Sequence, residues 1–232
     1  MLRATVSSKT WAMTLAGFLA LTAWGGDPQT SQADDTQGFA RWEQAIAAFE
    51  TQDKRNPPPQ NAVLFVGSSS IRAWDLPKYF PKRQVINRGF GGSEIADSTH
   101  FAERIILKHK PRVVVLYAGD NDIARGKTVL QVHANYRAFV ARIHKALPKT
   151  HILFIAIKPS IARAKLMGTM KQANKLIAAD CQRDKQTTYI DIFAPMLDRE
   201  RKPRRELFVK DGLHLSHAGY VLWTKQLISH LD

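Results

Sequence analysis

Cysteine is almost missing from this chain. Its 232 residues hold one, Cys181. A single thiol forms no internal disulfide and builds neither a cysteine metal cage nor a CxxC redox pair. Its surroundings, KLIAADCQRD, read as helix and make it a core thiol rather than a nucleophile. The N-terminal region offers no cysteine for a lipoprotein anchor. Histidine-rich ligand clusters, internal repeats and low-complexity tracts are missing too. No apolar run reaches the ~20 residues of a membrane span. The uncharged stretch from Trp11 to Trp24 comes nearest.

Acidic residues are scarce beside basic ones, 20 against 34, which leaves a net charge of +14. Such a charge favours peripheral contact with anionic surfaces. The basic residues are scattered, and only RERKPRRE (199–206) is dense. No nucleic-acid motif accompanies that run, so it reads as a solvated loop and no nucleic-acid partner is expected. Arg3 and Lys9 precede the apolar stretch, and SQA (31–33) supplies a small-x-small site before Asp34. That order is expected of an export signal over 1–33, periplasmic or secreted in destination, with an uncleaved anchor as the alternative.

Hydrophobic residues, 44% of the chain, suffice for one sizeable core. Phe39, Trp42, Ile46 and Phe49 fall at helical spacing and predict a helix over 38–50, stopped by NPPP (56–59). Residues 34–61 are therefore expected to form an N-terminal helix and a proline-rich linker before a domain over 62–232. Within it, AVLFV (62–66), QVIN (84–87), RVVVLYA (112–118), HILFIAI (151–157) and TTYIDI (187–192) are short apolar runs rich in β-branched residues. They read as strands covered on both faces. Helical patterns fall between them, at 94–109, 128–147 and 164–184, with a last one at 216–231. Strands alternating with helices imply an α/β fold, a parallel five-stranded sheet in a three-layer α/β/α sandwich.

In open sheets of this kind, sites form beyond the C-terminal ends of the strands. GSSS (67–70), RGFGGSE (88–94) and GDND (119–122) directly follow strands, and DGLHLS (211–216) precedes the last helix. Each is innocent alone: serines cap helices, glycines turn the chain, Asp and Asn make turns. Together at one sheet edge they suit acyl transfer. A serine hydroxyl needs a base, and His214 supplies one. Asp211, three residues earlier, can hold the other imidazole nitrogen. The backbone N–H of Gly92, the Asn121 amide and the serine's own N–H are candidate donors to a tetrahedral oxyanion. Ser68, Ser69 and Ser70 all qualify as the nucleophile.

At these blocks the sequence resembles the GDSL/SGNH hydrolase family, named for Ser, Gly, Asn and His in four separated blocks. The resemblance spans about 62–220. It places the serine at Ser69 in FVGSSSI, the glycine at Gly92, the asparagine at Asn121, and Asp211 and His214 in the last block. Ser68 stands where the family commonly has Asp, and Ile71 breaks the G-x-S-x-G elbow of ordinary α/β-hydrolases. The resemblance implies a flavodoxin-like sheet. It implies a serine esterase of class EC 3.1.1 with catalytic residues Ser69, Asp211 and His214, an oxyanion hole of Ser69, Gly92 and Asn121, and no metal or cofactor. Substrates in its range are lysophospholipids and small acyl esters, with acetylated carbohydrates as the alternative. A metal-dependent phosphoesterase using Asp120, Asp122, Asp211 and His214, and a non-catalytic binding protein on the same scaffold, are the readings of other classes. Trp74 and Phe90 belong to core packing or a pocket, and Arg88 and Arg125 to solvent or an anionic headgroup. Oligomeric state is unreadable from the sequence.

Overall fold

The computed structural model describes residues 38–231. The expected export segment, 1–33, lies outside them. All five strands form: β1 (Val63–Gly67), β2 (Val85–Gly89), β3 (Val113–Tyr117), β4 (His151–Ile155) and β5 (Thr187–Ile190). Every pairing is parallel and the order is β2-β1-β3-β4-β5. The direction of winding reverses between β1 and β3, where ligand crevices open in such sheets.

Register explains why both faces are apolar. Phe65 pairs with Val115 and Leu116 with Phe154, so Phe65 and Tyr117 share one face while Phe154 takes the other. On the first face Phe65 packs against Trp74 and Phe80, and Tyr117 against Trp223. On the second, Phe154 meets Tyr136 edge-on. Tyr136 belongs to α7 (Val129–Ala146), whose buried residues Val132, Tyr136, Phe139 and Ile143 form the stripe its sequence predicts. A Thr128–Gln131 capping box starts this helix. Helix α8 (Met167–Arg183) packs beside it and buries Cys181, whose thiol lies 3.1 Å from the Tyr136 hydroxyl. Burial pushes that thiol's pKa up, as a core cysteine requires. The last helix, α9 (His217–Leu227), carries Trp223.

The N-terminal helix differs from its predicted span. A helical turn at 38–40 breaks at Arg41–Trp42, and α1 then runs Glu43–Arg55, until Asn56 and the three prolines stop it. Ile46 is fully buried in the common core, and Glu43 and Glu50 both bind Arg104. The helix predicted over 94–109 is three pieces: α4 (Ile95–His100), α5 (Ala102–Ile105) and a 3₁₀ turn, Leu107–His109. Between the first two, Phe101 leaves the helical region (ψ 6°) to bury its ring against Phe39 and Phe90. Three helices of four or five residues were not anticipated: α2 (Ser69–Arg72), α3 (Leu76–Tyr79) and α6 (Asp120–Ala124). Each is too short to show a 3.6-residue period. Among the described residues no helix is long and apolar enough to cross a membrane.

Candidate active site

The four strand-end blocks meet at the switch point. Gly67, the last residue of β1, has φ +136°, and a Cβ there would lie 1.8 Å from the Tyr117 carbonyl oxygen. Only glycine fits, because the next residue's N–H, that of Ser68, turns inward to donate to that oxygen (3.1 Å). This turn makes Ser69 the first residue of α2, where a backbone N–H has no partner within the helix. Ser69 is half-buried, whereas Ser68 and Ser70 are buried and their hydroxyls have no partner. Ser68 stands one residue before α2. It occupies the cap position but its side chain makes no cap bond.

His214 Nε2 lies 3.1 Å from Ser69 Oγ, and His214 Nδ1 lies 2.6 Å from Asp211 Oδ2. The three side chains form one hydrogen-bonded line. Asp211 Oδ1 also accepts from the backbone N–H of Leu213 (2.8 Å) and of His214 (2.9 Å). One carboxylate thus folds the turn and orients the ring. The bond from His214 and those two backbone donors hold the Asp211 carboxyl well below its usual range. The turn is anchored twice more, by Val209 N–H to the His214 carbonyl (3.0 Å) and by Ala162 N–H to the Gly212 carbonyl (3.1 Å).

Gly92 has φ +81° and faces Trp42 and Arg125, whose nearest atoms would stand 3.3 and 3.8 Å from a Cβ. Asn121 Nδ2 donates to the Ser93 carbonyl (3.0 Å), while its Oδ1 accepts from Arg163 (2.9 Å). One amide hydrogen of Asn121 is spent on Ser93, and the second has no partner among the described residues. Ser69, His214 and Asp211 therefore meet directly, and Asn121 is tied to Ser93, the residue after Gly92.

Other residues fall elsewhere. Trp74 and Phe90 are core residues, 2% and 1% exposed. Arg88 is unavailable to a headgroup: it is buried, stacks over Phe49 and pairs with Asp53. Arg125 is exposed and bound to Glu94 at 2.6 Å. In the basic run 199–206, Lys202 pairs with Glu200 and Arg204 with Glu206 at the surface. The four candidate metal ligands do not converge. Asp120 is bound by Lys158 (3.0 Å) and Arg163 (2.8 Å), and Asp122 accepts from Ile95 N–H (3.3 Å). Among the described residues no three His, Cys, Asp or Glu side chains gather as ligands. A cavity of about 460 Å³ between α1, Pro57–Pro59 and β2 is lined by none of the strand-end residues Ser69, Gly92, Asn121 and His214.

Asp122, the residue after Asn121, is fully buried. Desolvation pushes its carboxyl up to about 6; Lys127, 3.6 Å away, opposes the shift and Glu94 adds to it. An unfolded aspartate titrates near ~3.9. The folded state therefore binds the proton more tightly, and this stabilisation is complete below about pH 4 and lost as pH rises through about 6. Asp122→Asn keeps an acceptor for Ile95 N–H and removes the titration. Its melting temperature relative to wild type should rise between pH 4 and pH 7.5; a constant difference would refute the assignment.

The residues missed in the sequence sit after β4. Lys158, Ile161, Ala162 and Arg163 touch Asp120, Gly212 and Asn121. KPSIAR carries neither a glycine nor a carboxylate, and its only signal is its place at a strand end.

The family model of the GDSL-like lipase/acylhydrolase family matches residues 62–222. The chain belongs to that family. Among solved structures, a protein from Streptococcus pneumonia assigned provisionally as a platelet activating factor is similar at TM-score 0.74 and 20% identity, over 89% of this chain and 100% of that one. A GDSL-like lipase from Bacteroides thetaiotaomicron is similar at TM-score 0.68 and 20% identity, over 80% and 96%. An acetylxylan esterase from Geobacillus stearothermophilus, in a catalytic-mutant form, is similar at TM-score 0.61 and 16% identity, over 75% and 95%. At these identities the likeness is one of fold, and it includes the GDSL enzymes' parallel sheet. No curated protein matches the chain. Family membership makes the protein an ester-hydrolysing acylhydrolase.

Proposed function

We propose that this GDSL acylhydrolase is an exported serine esterase that removes small acyl groups through an acyl-enzyme on Ser69. The observation that carries this reading is the line from Ser69 Oγ through His214 to Asp211. In the first step Ser69 Oγ attacks the ester carbonyl while His214 Nε2 takes its proton. The oxyanion is received by the N–H groups of Ser69 and Gly92 and the free Asn121 amide hydrogen. Collapse of the intermediate expels the alcohol, protonated by His214. Water, activated by the same nitrogen, then releases the acid.

The side chains of His214 and Asp211 are 42% and 47% exposed, so the leaving-group side of the site opens on solvent. Such openness supports bulky, water-soluble leaving groups carrying short acyl chains, acetylated sugars among them, over long acyl chains that need an enclosed apolar tunnel. Export rests on the order of residues in 1–33.

The test is an ester panel of graded acyl length, with acetylated xylo-oligosaccharides and lysophospholipids, run with EDTA present on chain whose mature N-terminus is read by mass spectrometry. Turnover is expected to be fastest for acetyl esters, to survive EDTA, and to come from a chain starting at Asp34. Preference for lysophospholipids would overturn the substrate reading. Loss in EDTA would overturn the serine mechanism, and an intact N-terminus would overturn cleavage.

A further inference from the structure

We propose that Arg163 is a positioning residue for the oxyanion hole, acting through Asn121; the inference rests on the serine-esterase reading. Arg163 spans two neighbouring side chains, donating from Nη1 to Asp120 Oδ2 (2.8 Å) and from Nη2 to Asn121 Oδ1 (2.9 Å). Lys158 already binds the same Asp120 oxygen at 3.0 Å, and both Lys158 and Asp120 are buried. Burial works against the Asp120 charge, and Lys158 and Arg163 overcome it, so the carboxyl sits below its usual range. One lysine balances one carboxylate. A second cation on that oxygen adds nothing to neutrality and leaves the cluster one positive charge in excess beside Asn121.

The second contact gives the surplus arginine a purpose. A carboxamide can face either way, and the Ser93 carbonyl and Arg163 select the same way from its two ends: reversed, Oδ1 would face that carbonyl and a developing oxyanion, which would repel it. The guanidinium has no acceptor, so Arg163 accepts only the orientation with Oδ1 toward itself. Nδ2 then faces Ser93 and the site. The planar fork suits this double contact, and an ammonium cannot reproduce it. The loop after β4 also holds the other half of the site, since Ala162 N–H binds the Gly212 carbonyl (3.1 Å) in the Asp211–His214 turn.

Steady-state kinetics of the full chain on p-nitrophenyl acetate test this. Asn121→Ala should lower kcat by roughly 10²- to 10³-fold. Arg163→Met should lower kcat by roughly 10-fold or more with KM changed less than about 2-fold, the scale of a lost hydrogen bond from a charged donor. In the Asn121→Ala background Arg163→Met should cost less than about 3-fold, because its effect runs through the missing amide. Arg163→Lys, which keeps the Asp120 pair and is expected to fold if the methionine variant does not, should also lose several-fold in kcat. Unchanged kcat, a loss confined to KM, or full additivity with Asn121→Ala would overturn the proposal. Wild type and Ser69→Ala are run first. An inactive wild type, or an active Ser69→Ala, would defeat the esterase reading and this inference with it. If both behave as expected, flat Arg163 kinetics defeat this inference alone.

Discussion

Ser69→Ala should lower kcat/KM for a soluble acetyl ester by about 10⁴-fold or more, the scale of a lost triad nucleophile. The fold should survive. Ser69 is half-buried at the first position of a four-residue helix, and its Oγ has one partner, His214 Nε2. Alanine at that position strands no buried donor. The neighbouring serines make the control. Ser68 and Ser70 are buried with unpartnered hydroxyls. Removing either hydroxyl should leave most of the activity and, if anything, relieve the cost of burying it. Labelling with a serine-reactive phosphonate, mapped by mass spectrometry, checks the register independently of rates. A label on Ser68 or Ser70 would move the nucleophile and sink the assignment.

His214→Ala should be nearly inactive at every pH, and Asp211→Asn should lose on the order of 10⁴-fold by analogy with the serine-protease triad. The geometry separates the charge of Asp211 from its structural work. Asparagine can still accept the Leu213 and His214 N–H bonds through its oxygen, so the turn should persist. It then presents an amide instead of a carboxylate to Nδ1, and the ring loses the partner that selects its tautomer. The wild-type kcat/KM should rise with pH through one ionisation, that of the base, which must be neutral to take the serine proton. Asp211 contributes no second step, because His214 and two backbone donors keep it charged far below that range. A kcat/KM profile from pH 4 to 9 for wild type and both variants decides the matter. An Asp211→Asn variant with the wild-type rate would reduce Asp211 to a turn residue.

Much of this was legible in the residues because it follows from short-range rules. Runs such as VLFV and VVVLY, short and β-branched, suit strands buried on both faces, and alternation with helices of 17 and 18 residues suits a parallel sheet. The four blocks could be found because each follows a strand or opens a helix, and reactive groups in such sheets gather at that edge. Helices of four or five residues escaped because one turn has no period. The break at Phe101 escaped because a buried ring, with partners at Phe39 and Phe90, overrides local helix preference.

What tertiary structure alone decided lies between residues far apart in the chain. The sequence by itself singled out Gly92, Asn121, Asp211 and His214 by type and order, but among Ser68, Ser69 and Ser70 only the family resemblance chose Ser69, and the structure sets its hydroxyl 3.1 Å from His214. The sequence could not show that Arg88 is consumed by Asp53, 35 residues away, or that Asp120 is claimed by Lys158 and Arg163 instead of a metal. Nor could it show that Trp42, from outside the family's matched segment, stands against Gly92. Charge pairing and ring packing depend on distance in space, and a linear pattern carries no distance beyond its own turn or strand.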